Sequence, residues 1–133
     1  VSRLMVRGAA GVVTDGGFRD SDEIAKLAIP SYHRRPSAPT NLTLHQAIDI
    51  NVPIGCGDTP VFPGDVVVGD GDGVVVIPAD LADELAAEAT EMTVFEDFVT
   101  EQVLAGRTII GLYPATQEQT LTDFAAWRKE KGR

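Results

Sequence analysis

The pattern of apolar residues changes at Pro78, and this change limits the folds that the chain can adopt. Before Pro78, β-branched runs at residues 66–68 and 74–77 flank the sequence GDGDG, which is typical of a β-hairpin. After Pro78, residues 80–105 carry apolar side chains at helical spacing. Short strands followed by long helices indicate an α+β sandwich, in which the late helices cover a sheet face or join subunits.

The helix predicted at residues 80–105 has recognisable ends. Asp80 is predicted as its N-cap, and Gly106 is predicted as the residue that stops it. A last amphipathic helix is predicted at residues 116–131. The predicted apolar stripe of the long helix consists of Leu81, Leu85, Ala89, Met92, Phe95, Val99 and Val103.

The elements before the hairpin are shorter. Residues 11–14 are predicted as a buried strand that the sequence DGG at residues 15–17 ends. A short helix follows, and either Asp20 or Ser21 is expected to cap it. Further strands are predicted at residues 31–35, 46–50, 52–56 and 61–62. A loop is predicted at residues 35–43 from its proline and polar content.

The start of the sequence resembles the interior of a longer chain. Residues 1–7 have helical apolar spacing, and Gly8 is a natural helix stop. The first residue is Val1, with neither an initiator methionine nor a helix cap. We therefore expect the sequence to be the C-terminal part of a longer chain, forming one domain over residues 1–133 with a helical tail from residue 107.

Composition excludes several classes of function. A net charge of −9 argues against binding to nucleic acid phosphates, which requires a basic face. The same charge permits a basic partner protein or a divalent metal, although solubility explains it more simply. The lone Cys56, predicted to be buried, cannot form an intramolecular disulfide, and no apolar stretch approaches the ~20 residues of a membrane span. These features predict a soluble cytoplasmic protein.

Several features that resemble binding motifs fail closer inspection. Asp65, Asp70 and Asp72 do not match the ligand positions of an EF-hand loop, so a tight hairpin turn is the better interpretation. The glycines of that turn do not open a helix, which argues against a phosphate cradle. His33 and His45 have no Cys or Glu at metal-ligand spacing, which favours packing or surface roles over direct chemistry.

Arg19 and Asp20 are the strongest candidates for a functional site. They follow a predicted strand end, where α/β scaffolds commonly build sites, and Gly16 and Gly17 permit close approach by a ligand. Helix capping by Asp20 with a surface Arg19 is the simpler alternative. A carboxylate is a hard oxygen ligand for Mg²⁺ or Mn²⁺, and a guanidinium holds a carboxylate or an enolate oxygen. Together the two groups would stabilise an enolate.

The motifs around these residues resemble those of the RraA-like family. The relevant segments are RGAAGVVTDGGFRDSDEI, NVPIGCGDTPVFPGDVVVGDGDGVVVIP and the long helix that follows them, so the resemblance extends to about residue 105. This family contains the regulator of ribonuclease activity A and class II aldolases that release pyruvate. The resemblance implies an α/β/β sandwich of the swivelling-domain type, assembled as homotrimers or hexamers with sites between subunits.

The resemblance also implies roles for individual residues. Arg19 would bind the pyruvate oxygens and steady the enolate, with Gly16 and Gly17 at the substrate, and Asp20 would ligate Mg²⁺ or Mn²⁺. The implied reaction is retro-aldol cleavage of a 4-hydroxy-2-oxo acid to pyruvate through a metal-stabilised enolate. Decarboxylation of oxaloacetate would proceed through the same enolate. A further acidic residue and a glycine-rich loop of the family's site would lie ahead of Val1.

Two other classes of function stay open at this point. One is a non-catalytic acidic trimer that regulates a ribonuclease by binding it. The other is a different enzyme on the same scaffold, such as a dehydratase or a tautomerase. Metal-dependent release of pyruvate would separate the aldolase from both.

Overall fold

The computed structural model describes residues 1–40 and 45–133. The chain divides into two compact units, Val1–Asp80 and Leu81–Arg133, and each is described by itself. In the first unit the elements are α1 (Ser2–Val6), β1 (Val12–Phe18), α2 (Ser21–Ile24), β2 (Ser31–Pro36), β3 (Ile54–Cys56), β4 (Thr59–Val61), β5 (Val66–Gly69) and β6 (Val74–Ile77). The second unit contains α3 (Ala82–Leu104) and α4 (Glu118–Lys131).

Strands β1 and β2 pair in parallel, and α2 lies on the connection between them. The prediction that residues 15–17 end the first strand is wrong, because β1 continues to Phe18. The register shows why: Thr14 pairs with His33 and Gly17 pairs with Arg35, so β1 carries one extra residue at this point. The chain therefore forms a β-bulge at Asp15 and Gly16 rather than a strand end, and pairing resumes at Gly17, ahead of the Arg19–Asp20 pair.

The other strands of this unit form two antiparallel hairpins, β3–β4 and β5–β6. The β5–β6 hairpin is confirmed in type and position. In its turn, the Asp70 carboxylate accepts hydrogen bonds from the backbone N–H groups of Asp72 (2.9 Å) and Gly73 (3.2 Å). Asp70 is thus committed to the turn, which agrees with the rejection of a calcium loop.

The predicted strand at residues 46–50 is wrong. Within the described parts of the chain this segment pairs with no strand, and the Ile48 side chain is 94% exposed. Apolar alternation alone does not make a strand, because the backbone groups also need a neighbouring edge. The predicted loop at residues 35–43 lies partly in β2 and partly outside the described residues.

The helical unit packs around an aromatic cluster. Phe98, which is 1% exposed, lies 5.5 Å from Phe124 and 5.7 Å from Trp127 between ring centroids. The predicted stripe is partly right: Val99 is buried in this cluster, whereas Met92 is 57% exposed. The core of the unit consists of Val94, Phe98, Val99, Leu112 and Trp127.

The long helix begins at a different residue from the one predicted, and its C-terminal end agrees with the prediction. Leu81, not Asp80, is the N-cap residue of α3, and no side chain caps that end. The reason is a 3₁₀ turn at Ala79–Leu81, which delays the start of the α-helix. At the other end, Gly106 has φ +93°, so its role as the stop is confirmed. Helix α4 begins two residues later than predicted, at Glu118.

The segment between the two helices is held by Arg107. Its guanidinium donates to Asp123 Oδ2 at 2.8 Å and to Thr120 Oγ1 at 3.3 Å. Thr120 is fully buried, and its hydroxyl donates to the Gly111 carbonyl at 3.0 Å.

No described helix combines the length and the apolar character that a bilayer crossing requires. The mixture of helices and strands is as predicted, while the sandwich arrangement and the single-domain boundary stay predictions.

Candidate functional site

A cavity of about 600 Å³ lies at the end of β1, and both Arg19 and Asp20 line it. The lining is apolar on the side formed by α1, β1 and α2. Polar groups come from the Arg19–Asp20 pair and from the chain after β2. The main apolar contributors are Leu4, Val12, Phe18 and Ile24, and the polar ones are Arg19, Asp20, Ser37, Thr40 and His45.

The backbone conformation of Asp20 is unusual for a helix N-cap. Its backbone is left-handed (φ +59°, ψ +38°), and its carbonyl accepts the N–H of Ile24 at 3.0 Å, which starts α2. Its side chain makes no capping hydrogen bond, so capping by the Asp20 carboxylate is not what the structure shows. Left-handed non-glycine residues are uncommon and concentrate at functional sites. The carboxylate is therefore not used by the helix that it precedes.

Arg19 and Asp20 form a loose ion pair in the cavity. Arg19 Nε lies 3.5 Å from Asp20 Oδ1, and the two side chains are 56% and 65% exposed. An ion pair this exposed adds little to stability. Both charged groups are thus accessible to a ligand that enters the cavity.

Gly16 and Gly17 differ in what surrounds them. A Cβ at Gly17 would lie 2.5 Å from Ser37 Cβ and 3.0 Å from the Arg35 carbonyl oxygen. Gly17 also lines the cavity, whereas Gly16 lies in the bulge, where its N–H donates to Thr14 Oγ1 at 3.0 Å. The close approach of β1 to the end of β2 is therefore sufficient to require glycine at position 17, and the assignment of both glycines to substrate binding stays a prediction.

Asp15 is a residue that sequence reasoning missed. Its Oδ2 accepts the backbone N–H of Gly57 at 2.9 Å, across 42 residues of sequence. Gly57 has φ +61° in the turn between β3 and β4, so this bond ties that hairpin to the bulge of β1. The available signal was a carboxylate next to a glycine pair, but its partner could not be read from the sequence.

The two histidines and the cysteine have distinct environments. His33 packs, as predicted: its ring stacks on Phe18 with centroids 4.8 Å apart, and its buried Nδ1 has no hydrogen-bond partner among the described residues. His45 is exposed, but it lines the cavity that contains Arg19 and Asp20, which the sequence did not reveal. Cys56 is half-buried rather than buried, because β3 is a short hairpin strand.

The side chains available as metal ligands suit a divalent ion that keeps most of its water molecules better than an ion enclosed by protein ligands. Within residues 1–40 and 45–133, no group of three or more His, Cys, Asp or Glu side chains could hold a metal. Mg²⁺ usually keeps several waters and takes only one or two protein carboxylates. The exposed Asp20 carboxylate satisfies that requirement as a single ligand.

Clear pKa shifts with identifiable causes occur in the helical unit. The Trp127 indole N–H donates to Glu101 Oε2 at 2.9 Å, and this bond, with a contribution from Lys131, lowers the pKa of Glu101. Hydrogen bonds from Gln119 and then Arg107 lower the pKa of Asp123. These are structural contacts between helices and their linker.

A family model described as "RraA-like: Aldolase/RraA" matches residues 1–76, which include the bulge, the Arg19–Asp20 pair and both hairpins except the last residue, Ile77. The chain belongs to the RraA-like family. The resemblance drawn from the sequence motifs is thereby confirmed. The helical unit lies outside the matched range.

Two relatives in this family share substantial sequence with the chain. An uncharacterized protein of Methanocaldococcus jannaschii is 36% identical over 104 residues, which are 77% of this chain and 49% of that protein. A Halalkalibacterium halodurans protein named "Putative 4-hydroxy-4-methyl-2-oxoglutarate aldolase" is 44% identical over 71 residues, which are 53% of this chain and 33% of that protein. The chain thus spans half or less of the length of these relatives.

Two solved structures share its fold. That of an uncharacterized protein from Pseudomonas syringae pv. tomato has a TM-score of 0.75 at 29% identity, covering 81% of this chain and 54% of that one. That of Streptomyces coelicolor RraAS2, described as an unusual member of the RNase ES inhibitor RraA protein family, has a TM-score of 0.59 at 27% identity, covering 76% of this chain and 52% of that one. The neighbours establish an RraA-type fold for the shared part.

Proposed function

We propose that this chain carries the Arg19–Asp20 site of a divalent-metal-dependent class II aldolase that cleaves a 4-hydroxy-2-oxo acid to pyruvate. One observation carries the proposal: the guanidinium and the carboxylate lie 3.5 Å apart in one cavity, and the helix that begins at Asp20 does not use that carboxylate. The relative named as an aldolase supports the same reaction class.

The two charged groups have complementary roles in this proposal. A guanidinium group is a fixed cation, and the planar donors of Arg19 would bind the carboxylate or the keto oxygen of a 2-oxo acid. Asp20 would hold Mg²⁺ or Mn²⁺, which supplies positive charge beside the oxygens where negative charge develops. Gly17 brings backbone close to the same cavity without a side chain in the way.

The negative charge that develops in this reaction lies on the enolate oxygen, where Arg19 would stabilise it. Cleavage breaks the bond between C3 and C4 of the substrate, and the electron pair passes to the pyruvyl half as an enolate. The C4 hydroxyl gives up its proton as the other half leaves as a carbonyl compound, and a proton added to C3 of the enolate completes pyruvate. Loss of CO₂ from oxaloacetate produces the same enolate, so decarboxylase activity is expected at the same site. A fixed guanidinium near the developing oxyanion contributes roughly 10²–10³ in rate.

A protein-binding regulator is the second candidate. The favouring observations are the net charge of −9 and the structural similarity to a member of the RNase ES inhibitor RraA protein family. In that case the acidic chain would bind a basic region of a ribonuclease. Binding would weaken as salt screens the charges, and it would not depend on Asp20.

Assembly as a homotrimer or hexamer belongs to the same proposal. In the first unit, as described, the β5 side chains Val66, Val67 and Val68 are 42–53% exposed, which is unusual for three consecutive valines. Contact with a second copy would remove this apolar surface from water. Light scattering of the purified protein would measure the assembly state.

The experiment follows pyruvate release from a panel of 4-hydroxy-2-oxo acids and from oxaloacetate, with Mg²⁺, Mn²⁺ or EDTA. Asp20→Asn is compared with Asp22→Asn, a matched change in the first turn of α2. We expect metal-dependent pyruvate release that Asp20→Asn reduces at least about 10²-fold and Asp22→Asn leaves nearly unchanged. Release that survives Asp20→Asn, or no release from any substrate, would contradict the aldolase proposal.

A further inference from the structure

The helical unit contains a cavity of its own, of about 270 Å³, between α3, α4 and the linker that joins them. Its walls are mainly aromatic. The ring of Phe95 lies 5.0 Å from that of Phe124 and 6.2 Å from that of Tyr113, between centroids. Met92 is 57% exposed and Tyr113 is 44% exposed, so the cavity is open to solvent. The lining residues are Glu91, Met92, Phe95, Glu96, Tyr113 and Phe124.

The carboxylates of α3 between residues 91 and 101 are paired with cations from α4 and the residues after it, with one exception. The three ion pairs are Glu91–Arg128, Asp97–Arg133 and Glu101–Lys131. Glu96 forms no ion pair within the described parts of the chain, and its Oε1 accepts the Tyr113 hydroxyl at 3.2 Å. The aromatic cavity is therefore lined by one carboxylate whose charge the described residues leave unbalanced.

The same unit shows how an aromatic ring and a carboxylate hold a cation together. The Lys131 ammonium lies 5.8 Å from the centre of the Trp127 ring and 3.2 Å from Glu101 Oε2. A cation is attracted to an aromatic face within about 6 Å of its centre, and this attraction adds to that of the carboxylate. The cavity at Phe95 offers the same two kinds of group, but no described Lys or Arg lines it. Its chemistry therefore suits a cation that comes from outside the unit.

We propose that this aromatic cavity binds the head group of a small alkylated ammonium ion. The faces of aromatic rings are negative, so the rings and the Glu96 carboxylate attract the same charge. The charge of Glu91, the other carboxylate of the lining, is already balanced by Arg128. The cavity lies wholly within the helical unit, so this proposal does not rest on the aldolase reaction.

The scarcity of free acceptors favours an alkylated ammonium over a primary one. A primary ammonium has three N–H donors, whereas both oxygens of Glu91 already accept hydrogen bonds from Arg128. A quaternary ammonium has no N–H to satisfy, and its methyl groups can pack against the rings and the Met92 thioether. Mg²⁺ and Ca²⁺ need several oxygen ligands, which a mainly aromatic lining does not provide. The volume of about 270 Å³ fits a head group of a few carbons rather than a drug-sized molecule.

The test uses choline as the probe and, as its matched control, the uncharged alcohol in which carbon replaces the choline nitrogen. Each is titrated at constant ionic strength into protein with isotope-labelled methionine methyl groups, which NMR observes. The chain has two methionines: Met92 lines the cavity, and Met5 lies in the other unit as an internal reference. We expect choline to shift the Met92 resonance saturably and to leave Met5 unchanged. The alcohol should bind about 2–30-fold more weakly, the range of cation–π attraction from exposed to desolvated sites.

Two substitutions assign the binding to the carboxylate and to the rings. Glu96→Gln keeps an acceptor for the Tyr113 hydroxyl and removes the charge, so it should weaken choline binding about two- to fivefold. Asp97→Asn makes the same charge change at the neighbouring residue, outside the lining, and should leave choline binding unchanged. Tyr113→Leu keeps an apolar wall without a ring, and should therefore bring the affinities for choline and the alcohol closer together.

Two results would overturn the proposal. Equal affinity for choline and the alcohol would show an apolar cavity without preference for a cation. An unshifted Met92 resonance, in protein whose Trp127 fluorescence reports a folded unit, would show that the cavity binds no ammonium ion. Neither result would bear on pyruvate release, which is measured separately, so the aldolase proposal would stand or fall on its own test.

Discussion

Replacement of Gly17 by alanine tests why the chain has glycine where pairing resumes after the bulge of β1. The ideal Cβ of residue 17 would lie 2.5 Å from Ser37 Cβ, whereas carbon atoms in favourable contact are about 3.5–4.0 Å apart. The overlap is therefore about 1 Å or more, and both partners are backbone-attached atoms that cannot rotate away. Overpacking of this kind typically costs about 1–3 kcal/mol. We expect Gly17→Ala to destabilise the β1–β2 pair by that amount.

Amide hydrogen exchange measures this effect where it should occur. The Ser37 N–H donates to the Phe18 carbonyl at 2.8 Å, so its exchange rate reports opening at this end of the strand pair. Gly16→Ala is the matched control, because its Cβ would meet only the Thr14 hydroxyl, at 3.2 Å, and that side chain can move. Its cost should stay below about 1 kcal/mol.

A second substitution shows whether the contact with Ser37 is the cause. Ser37→Gly removes the Cβ that Gly17→Ala would strike, so the double variant should recover about 1 kcal/mol relative to the sum of the single changes. Recovery should be incomplete, because the Arg35 carbonyl oxygen would still lie 3.0 Å from the new methyl group. If Gly17→Ala leaves exchange at Ser37 unchanged but abolishes binding of oxalate, which resembles the pyruvate enolate, the glycine serves the ligand, and the packing argument is refuted.

The remaining predictions concern the helical unit. Phe98→Ala should lower the free energy of unfolding by about 3–5 kcal/mol, because the ring is 1% exposed among aromatic neighbours. Urea unfolding followed by Trp127 fluorescence checks this, with Leu121→Ala, whose side chain is 56% exposed, as the control; equal costs would contradict the described core. The lowered pKa of Glu101 should stabilise the unit above the ordinary glutamate range, and this contribution should be lost as the pH falls through the folded-state pKa. Glu101→Gln should therefore flatten the acid side of the Tm–pH profile, and an unchanged profile would show that the bond to Trp127 is not coupled to folding.

Features that depend on neighbouring residues were predictable from the sequence. The β5–β6 hairpin formed as expected, because β-branched runs and a short Asp-Gly turn act within a dozen residues of one another. Gly106 stops α3 because a left-handed residue is easiest for glycine, whatever surrounds it. The family resemblance also followed from local motifs around Arg19 and Asp20.

Errors arose where a prediction required a partner that the local sequence does not reveal. Residues 46–50 have the apolar content of a strand, but the described chain gives them no strand to pair with. The sequence DGG at residues 15–17 has the composition of a turn, yet β1 continues through it because β2 pairs on both sides of the bulge. Local strand propensity predicts such pairing poorly, because pairing depends on the neighbouring strand as well as on the segment itself.

The amino-acid sequence by itself determined the family, the order of short strands before long helices, and the adjacency of a fixed cation and a carboxylate at positions 19 and 20. Only the tertiary structure decided that Asp15 binds Gly57, that Ser37 excludes a side chain at position 17, and that His45 lines the Arg19–Asp20 cavity. The physical reason is that these relations join residues distant along the chain. Such contacts arise from the packing of whole elements, and spacing in the sequence carries no information about them.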